Sequence, residues 1–238
     1  MRKILWSIVQ IVFPLLLLGQ QNMIKSELKS EYTVKIHVDY QYILELPGQA
    51  ASGEKLPLIL FLHGSGERGD DLDLVKVHGP LKFIESHPEY HVAVLAPQCK
   101  SGEFWDAQKL SLLLDNIIAN YPIDTTRIYL TGLSMGGYGA WDLAMFEPTR
   151  FAAIAPVCGT TFRHKLMAQK VKDIPIWIFH GAMDETVPFH NSARMVQKLK
   201  ELEADVQFTV YPFTTHNAWD EAYADEELYK WFLSHKNE

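Results

Sequence analysis

The most chemically suggestive residues in the chain lie in Gly132-Leu133-Ser134-Met135-Gly136. A serine with glycine two residues to either side can occupy a tight, strained turn, because a Cβ on either flank would collide with the reversing backbone. Such a turn lifts the hydroxyl clear of its neighbours. A serine hydroxyl is a weak nucleophile at neutral pH, so it needs an imidazole to take its proton and a carboxylate to orient that imidazole. Two later segments could supply them. His216 stands in Thr214-Thr215-His216-Asn217-Ala218-Trp219, and Asp184 in His180-Gly181-Ala182-Met183-Asp184-Glu185. Competing assignments are Glu185 or Asp220 for the acid and His63 or His180 for the base. Both of these histidines are followed directly by glycine, and bracing of loop backbone is the simpler reading for them. An oxyanion formed on attack would need two fixed N–H donors. The amide of Met135, first in its helix, is one candidate, and the amide of Ser65 in His63-Gly64-Ser65-Gly66 is the other.

The elements that must position these residues follow from hydrophobic spacing. Even positions from Tyr32 to Leu46 are apolar or aromatic, the alternation of half-buried strand, over a length that suggests two adjacent strands. Leu56 to Leu62 and Val92 to Leu95 are continuously apolar, as strands buried on both faces are. Leu110, Leu113, Leu114, Ile117, Ile118 and Tyr121 share one helical face, which Pro122 ends. Arg127 to Thr131 is a strand leading into the Ser134 turn, and helical spacing resumes from Tyr138. Phe151 to Val157, Ile174 to His180 and Val206 to Tyr211 are further strands. Asn191 to Leu202 and Glu226 to His235 are amphipathic helices. Alternating strands and helices predict a mostly parallel sheet covered on both faces. Catalytic groups in such sheets gather at the carboxyl ends of strands. Ser134, Asp184 and His216 all fall there.

Arg2 and Lys3 precede an apolar run from Ile4 to Leu18 that is broken by Ser7, Gln10 and Pro14, which suits a signal peptide over residues 1–21. Leu17 is large for a cleavage site, so an uncleaved anchor is the second choice. The expected location is secreted or periplasmic, with membrane anchoring as the alternative. No cysteine follows the run, which argues against a lipoprotein. Residues 22–238 are expected to form a single domain, since 47% of the chain is hydrophobic, enough for a large core. The net charge of −7, with scattered basic residues, excludes nucleic acid as an expected partner. No stable membrane partner is expected unless the leader is retained.

The chain resembles the α/β-hydrolase superfamily. Within it, the likeness is to single-domain serine esterases of the predicted-peptidase or phospholipase/carboxylesterase-like group, related to feruloyl-esterase-type and dienelactone-hydrolase-like proteins. The resemblance rests on Leu62 to Gly69, Ala96 to Cys99, Thr131 to Tyr138, Phe179 to Asp184 and Thr215 to Trp219. It implies an α/β fold with a mostly parallel eight-stranded sheet, helices on both faces and no large lid, the gap from Cys158 to Asp173 having room for one short helix. It also implies Ser134, Asp184 and His216 as a triad acting on carboxylic esters. Dienelactone hydrolases proper use a cysteine where this chain has serine. Small-molecule or polysaccharide-linked esters are the expected substrates, with a prolyl-oligopeptidase-like peptidase or a non-catalytic binder as alternatives. Phe104, Trp105 and Trp219 follow strand ends, and Trp105 and Trp219 are the expected substrate contacts. No cofactor and no metal are expected. In the strand order the resemblance implies, Cys99 and Cys158 are too far apart to bridge, so two free thiols are expected.

Overall fold

The backbone of the computed structural model is described for residues 36–48, 54–160 and 164–237. Seven strands form one sheet in the order β1-β3-β2-β4-β5-β6-β7. They are β1 (Gln41–Glu45), β2 (Leu56–Leu62), β3 (Ala93–Gln98), β4 (Ile123–Leu133), β5 (Ala153–Val157), β6 (Ile176–Gly181) and β7 (Val206–Tyr211). The β1 strand runs antiparallel to β3, and every other pairing is parallel. The expected count of eight is corrected to seven among the described residues. The alternating run beginning at Tyr32 is where an additional strand is expected. Residues 36–40 of that run form no strand, and 32–35 lie outside the described residues, as does the expected 1–21 leader.

Every residue of β2 is buried, and its alternating side chains explain why the run is continuously apolar. Leu56, Leu58, Leu60 and Leu62 face one core with Leu110, Trp141 and Met195, while Ile59 and Phe61 face the other with Phe83, Tyr223 and Phe232. Burial of each such aliphatic side chain contributes about 2 kcal/mol. The first core is covered by α2 (Ala107–Asn120), α3 (Met135–Phe146), α4 (His164–Val171) and α5 (Phe189–Glu201). The second is covered by α1 (Pro80–Ser86), α6 (Trp219–Ala224) and α7 (Glu226–Ser234). This is the α/β-hydrolase arrangement. Among the described residues, the segment after β5 holds α4 and no long lid. Among the described residues no helix is long and apolar enough to cross a membrane.

Candidate active site

The turn between β4 and α3 holds Ser134 at φ 51° and ψ −115°, a left-handed conformation that a side-chain-bearing residue adopts only under constraint. Its amide donates to Val157 O on β5 at 2.9 Å, and its carbonyl accepts from Tyr138 N at 3.1 Å, so the strain is held from both sides. Gly136 makes the turn feasible. A Cβ there would lie 1.8 Å from Leu62 O, which means that α3 begins in direct backbone contact with the end of β2.

The loop after β6 places Asp184. Its Oδ1 accepts from the amides of Thr186 (2.9 Å) and Val187 (2.8 Å), a local turn that freezes the carboxylate just ahead of Pro188 and α5. The loop after β7 places His216, and the two loops are joined by Met183 N donating to Thr214 O at 3.1 Å. Gly181 permits that approach, because a Cβ on it would meet Thr215 O at 2.1 Å.

These three strand ends bring the predicted residues together. Ser134 Oγ lies 2.8 Å from His216 Nε2, and His216 Nδ1 lies 2.8 Å from Asp184 Oδ2. With Nδ1–H donating to the carboxylate, Nε2 presents its lone pair to the serine hydroxyl. The Asp184 side chain is fully buried, while His216 stays partly open to solvent. Asp220 does not face His216. It sits in α6, accepts from Asn217 Nδ2 at 3.0 Å and lies 3.6 Å from His78. Glu185 is exposed.

His63 and His180 both brace loops, as their Gly-flanked positions suggest. Cys99 N donates to His63 Nε2 at 2.9 Å, so the ring proton sits on Nδ1 and donates to Gly64 O at 2.6 Å. Burial pushes the His63 imidazole down to about 4. His180 Nε2 donates to Val187 O at 2.9 Å and also lies 3.2 Å from Asp184 Oδ2. That second contact with the carboxylate lies beyond the sequence reading. The four-residue spacing from His180 to Asp184 is visible in the chain, yet only the turn between them shows that both side chains reach the same point. Burial lowers the His180 pKa, consistent with a neutral ring.

Cys158 lies beside Asp184 and His216, the sulfur and a ligand atom of each of the other two all within 4.8 Å of one another. Burial pushes its thiol up to about 12, so the sulfur is a neutral packing atom there.

A cleft of about 500 Å³ opens beside Ser134, lined by Ser65, Phe104, Trp105, Met135 and Tyr138 among others. Trp105 forms part of its wall, fixed by donation from Nε1 to His63 O at 3.1 Å. Ser65 begins a short 3-10 turn at the rim. Met135 is the first residue of α3, so its amide has no acceptor within the helix. Trp219 is placed differently from expectation. It packs edge-on against His216, with centroids 5.1 Å apart, and lines a separate hollow between α1 and α6.

A sequence model of the phospholipase/carboxylesterase family matches residues 90–230. A stretch of 84 residues is 33% identical to the bifunctional acetylxylan esterase/xylanase XynS20E of Neocallimastix patriciarum, covering 35% of this chain and 12% of that protein. A poly(3-hydroxyoctanoate) depolymerase of Pseudomonas fluorescens is 27% identical over 177 residues, covering 65% of this chain and 63% of that one. Among solved structures, a thermostable esterase superposes with a TM-score of 0.72 at 33% identity, covering 82% of this chain and 59% of the other. The chain thus spans less than two thirds of each of these proteins. A ferulic acid esterase shares the fold, with a TM-score of 0.62 at 15% identity over 80% of this chain and 89% of its own.

Proposed function

This chain belongs to the phospholipase/carboxylesterase family, and from that premise we propose that it is a secreted serine carboxylesterase working through an acyl-enzyme. The observation that carries the proposal is the pair of 2.8 Å contacts linking Ser134 to His216 and His216 to Asp184. In the first half-reaction His216 Nε2 takes the Ser134 proton as Oγ attacks the acyl carbon. The amides of Met135 and Ser65 receive the developing oxyanion, and the imidazolium then protonates the departing alcohol oxygen. Water repeats the sequence on the acyl-enzyme, returning its proton through His216 and releasing the acid. Asp184 holds the ring in the required tautomer throughout. Its two backbone donors and His180 keep it in place.

The cleft wall of Trp105, Met135 and Tyr138 suits the acyl group, and the absence of a long lid after β5 leaves Ser134 reachable by an ester on a bulky carrier such as a polysaccharide. The apolar run from Ile4 to Leu18 supports export. Turnover of p-nitrophenyl acetate tests the reading. Ser134→Ala and His216→Ala are each expected to lower kcat about 10⁴-fold with the circular dichroism spectrum unchanged, and Asp184→Asn to be nearly as severe. Substantial activity in the Ser134 or His216 variant would remove the assignment.

A further inference from the structure

The acid of the Ser134–His216–Asp184 line is approached from behind by a chain of buried groups that leads away from the cleft into α5. We infer that Ser192, near the start of that helix, is a positioning residue for catalysis, acting through His180 on Asp184. The inference rests on the esterase reading and extends the line by two residues. Both are buried, so neither touches substrate.

The proton positions follow from the partners. His180 stands at the end of β6, and its Nε2 lies 2.9 Å from Val187 O. A carbonyl oxygen only accepts, so Nε2 carries the proton. Burial lowers the His180 pKa and keeps the ring neutral, which leaves Nδ1 with a lone pair. Ser192 Oγ lies 2.8 Å from that nitrogen. The serine hydroxyl therefore donates to Nδ1, and in doing so it selects the tautomer with hydrogen on Nε2.

The tautomer matters because of what else Nε2 faces. Asp184 Oδ2 lies 3.2 Å from it, and the same oxygen lies 2.8 Å from His216 Nδ1. With hydrogen on Nε2, the ring turns the positive end of its N–H dipole toward both Val187 O and the carboxylate. With hydrogen on Nδ1, a lone pair would face those two oxygens. Both side chains are fully buried, so solvent could not screen that repulsion. Val187 also gives its amide to Asp184 Oδ1 at 2.8 Å, so His180 braces the acid and the turn that orients it together. Met195, Val196 and Leu199 anchor α5 in the core, which makes Ser192 a fixed point of reference for the acid.

The other titratable groups around the acid leave this balance to the two imidazoles. From the end of β5 comes the Cys158 thiol and from α3 the Tyr138 phenol, and burial raises the pKa of each, so both are neutral near pH 7. Asp220 of α6 is turned toward Asn217 and His78, and Glu185 is exposed. Oδ2 thus divides its attraction between the N–H groups of His180 and His216. Loss of the His180 N–H would leave the carboxylate field to His216 alone and strengthen the hold of that ring on its proton.

The test records pH profiles of p-nitrophenyl acetate turnover, and nitrogen NMR spectra of labelled histidines, for the wild type, Ser192→Ala and Ser192→Thr. The wild-type spectra are expected to show His180 with hydrogen on Nε2, and the opposite tautomer overturns the inference. Ser192→Ala is expected to lower kcat about 10-fold with KM within about twofold, and to move the acid limb of kcat/KM to higher pH. Ser192→Thr keeps the hydroxyl and is expected to recover most of both. A loss of kcat with an unmoved acid limb would make Ser192 a brace of the loop alone and overturn the inference, as would wild-type behaviour in Ser192→Ala. Should Ser192→Ala not fold, Ser192→Cys fills the space with a weak donor and is read in the same way. If the wild type cleaves no ester, the esterase reading fails, and the NMR titration decides alone. The inference then stands if the His216 pKa rises in Ser192→Ala, and falls if it does not.

Discussion

Asp184 and His63 show how single side chains are held in one geometry by the groups around them. Asp184 accepts two amides on one oxygen and the His216 ring N–H on the other, with His180 Nε2 3.2 Å from that second oxygen, so its geometry is fixed. His63 is neutral because its Nε2 must accept from Cys99 N and because burial lowers its pKa from 6.5 to about 4. Below pH 6.5 the unfolded chain gains a proton at His63 that the folded chain refuses until about pH 4. Stability is therefore complete above pH 6.5 and declines as pH falls toward 4, by up to about 3 kcal/mol from this group. His180, also depressed by burial, acts in the same direction. Urea midpoints measured from pH 7.5 down to 4.5 are expected to fall, and His63→Gln to flatten part of the slope while leaving the His180 share. An identical slope in the variant would remove His63 as a cause.

Among the elements, the β4–α3 corner carries the tightest constraint. Its glycines are legible as a turn, but the reason for Gly136 is tertiary, since the atom that excludes a side chain there is Leu62 O, more than seventy residues earlier. Gly136→Ala is expected to lower stability by more than about 3 kcal/mol, or to prevent soluble expression, because both contacting groups are backbone and cannot move aside. Gly66→Ala is the control, with nothing within 4 Å of the position its methyl group would take and little expected change in Tm. A Gly136→Ala protein melting with the wild type would show that β2 and α3 do not meet as closely as described. The long strands and amphipathic helices are readable from period alone, whereas α1 and α6 are not. α1 is seven residues long and opens on Pro80, and α6 has six residues, too few turns for a periodic stripe.

At the scale of the whole molecule, the order β3-β2-β4-β5 sets the distance between the two cysteines. Cys99 follows β3 and Cys158 follows β5, so three strand spacings of ~4.8 Å separate their strands by ~14 Å, beyond the ~7 Å that a disulfide spans. Both thiols are free and buried, as expected. Burial raises the pKa of each, which further slows reaction with electrophiles. A colorimetric thiol reagent is expected to count two groups in the denatured, unreduced protein and to react only slowly with the folded one. Counting none before reductant is added would contradict the strand order.

The sequence by itself determined the fold class and the three residues now found in contact. Apolar period reports which faces are buried, and catalytic groups in a parallel sheet are confined to the loops after its strands, so Ser134, Asp184 and His216 could be picked out without coordinates. Tertiary structure decided what depends on approach between distant segments. It turned Trp105 into the cleft and Trp219 edge-on against His216, brought His180 to Asp184, and set Cys158 beside Asp184 and His216. Each of these outcomes is a distance across the strand order, and local spacing carries no information about side chains that meet only when the sheet has closed around them.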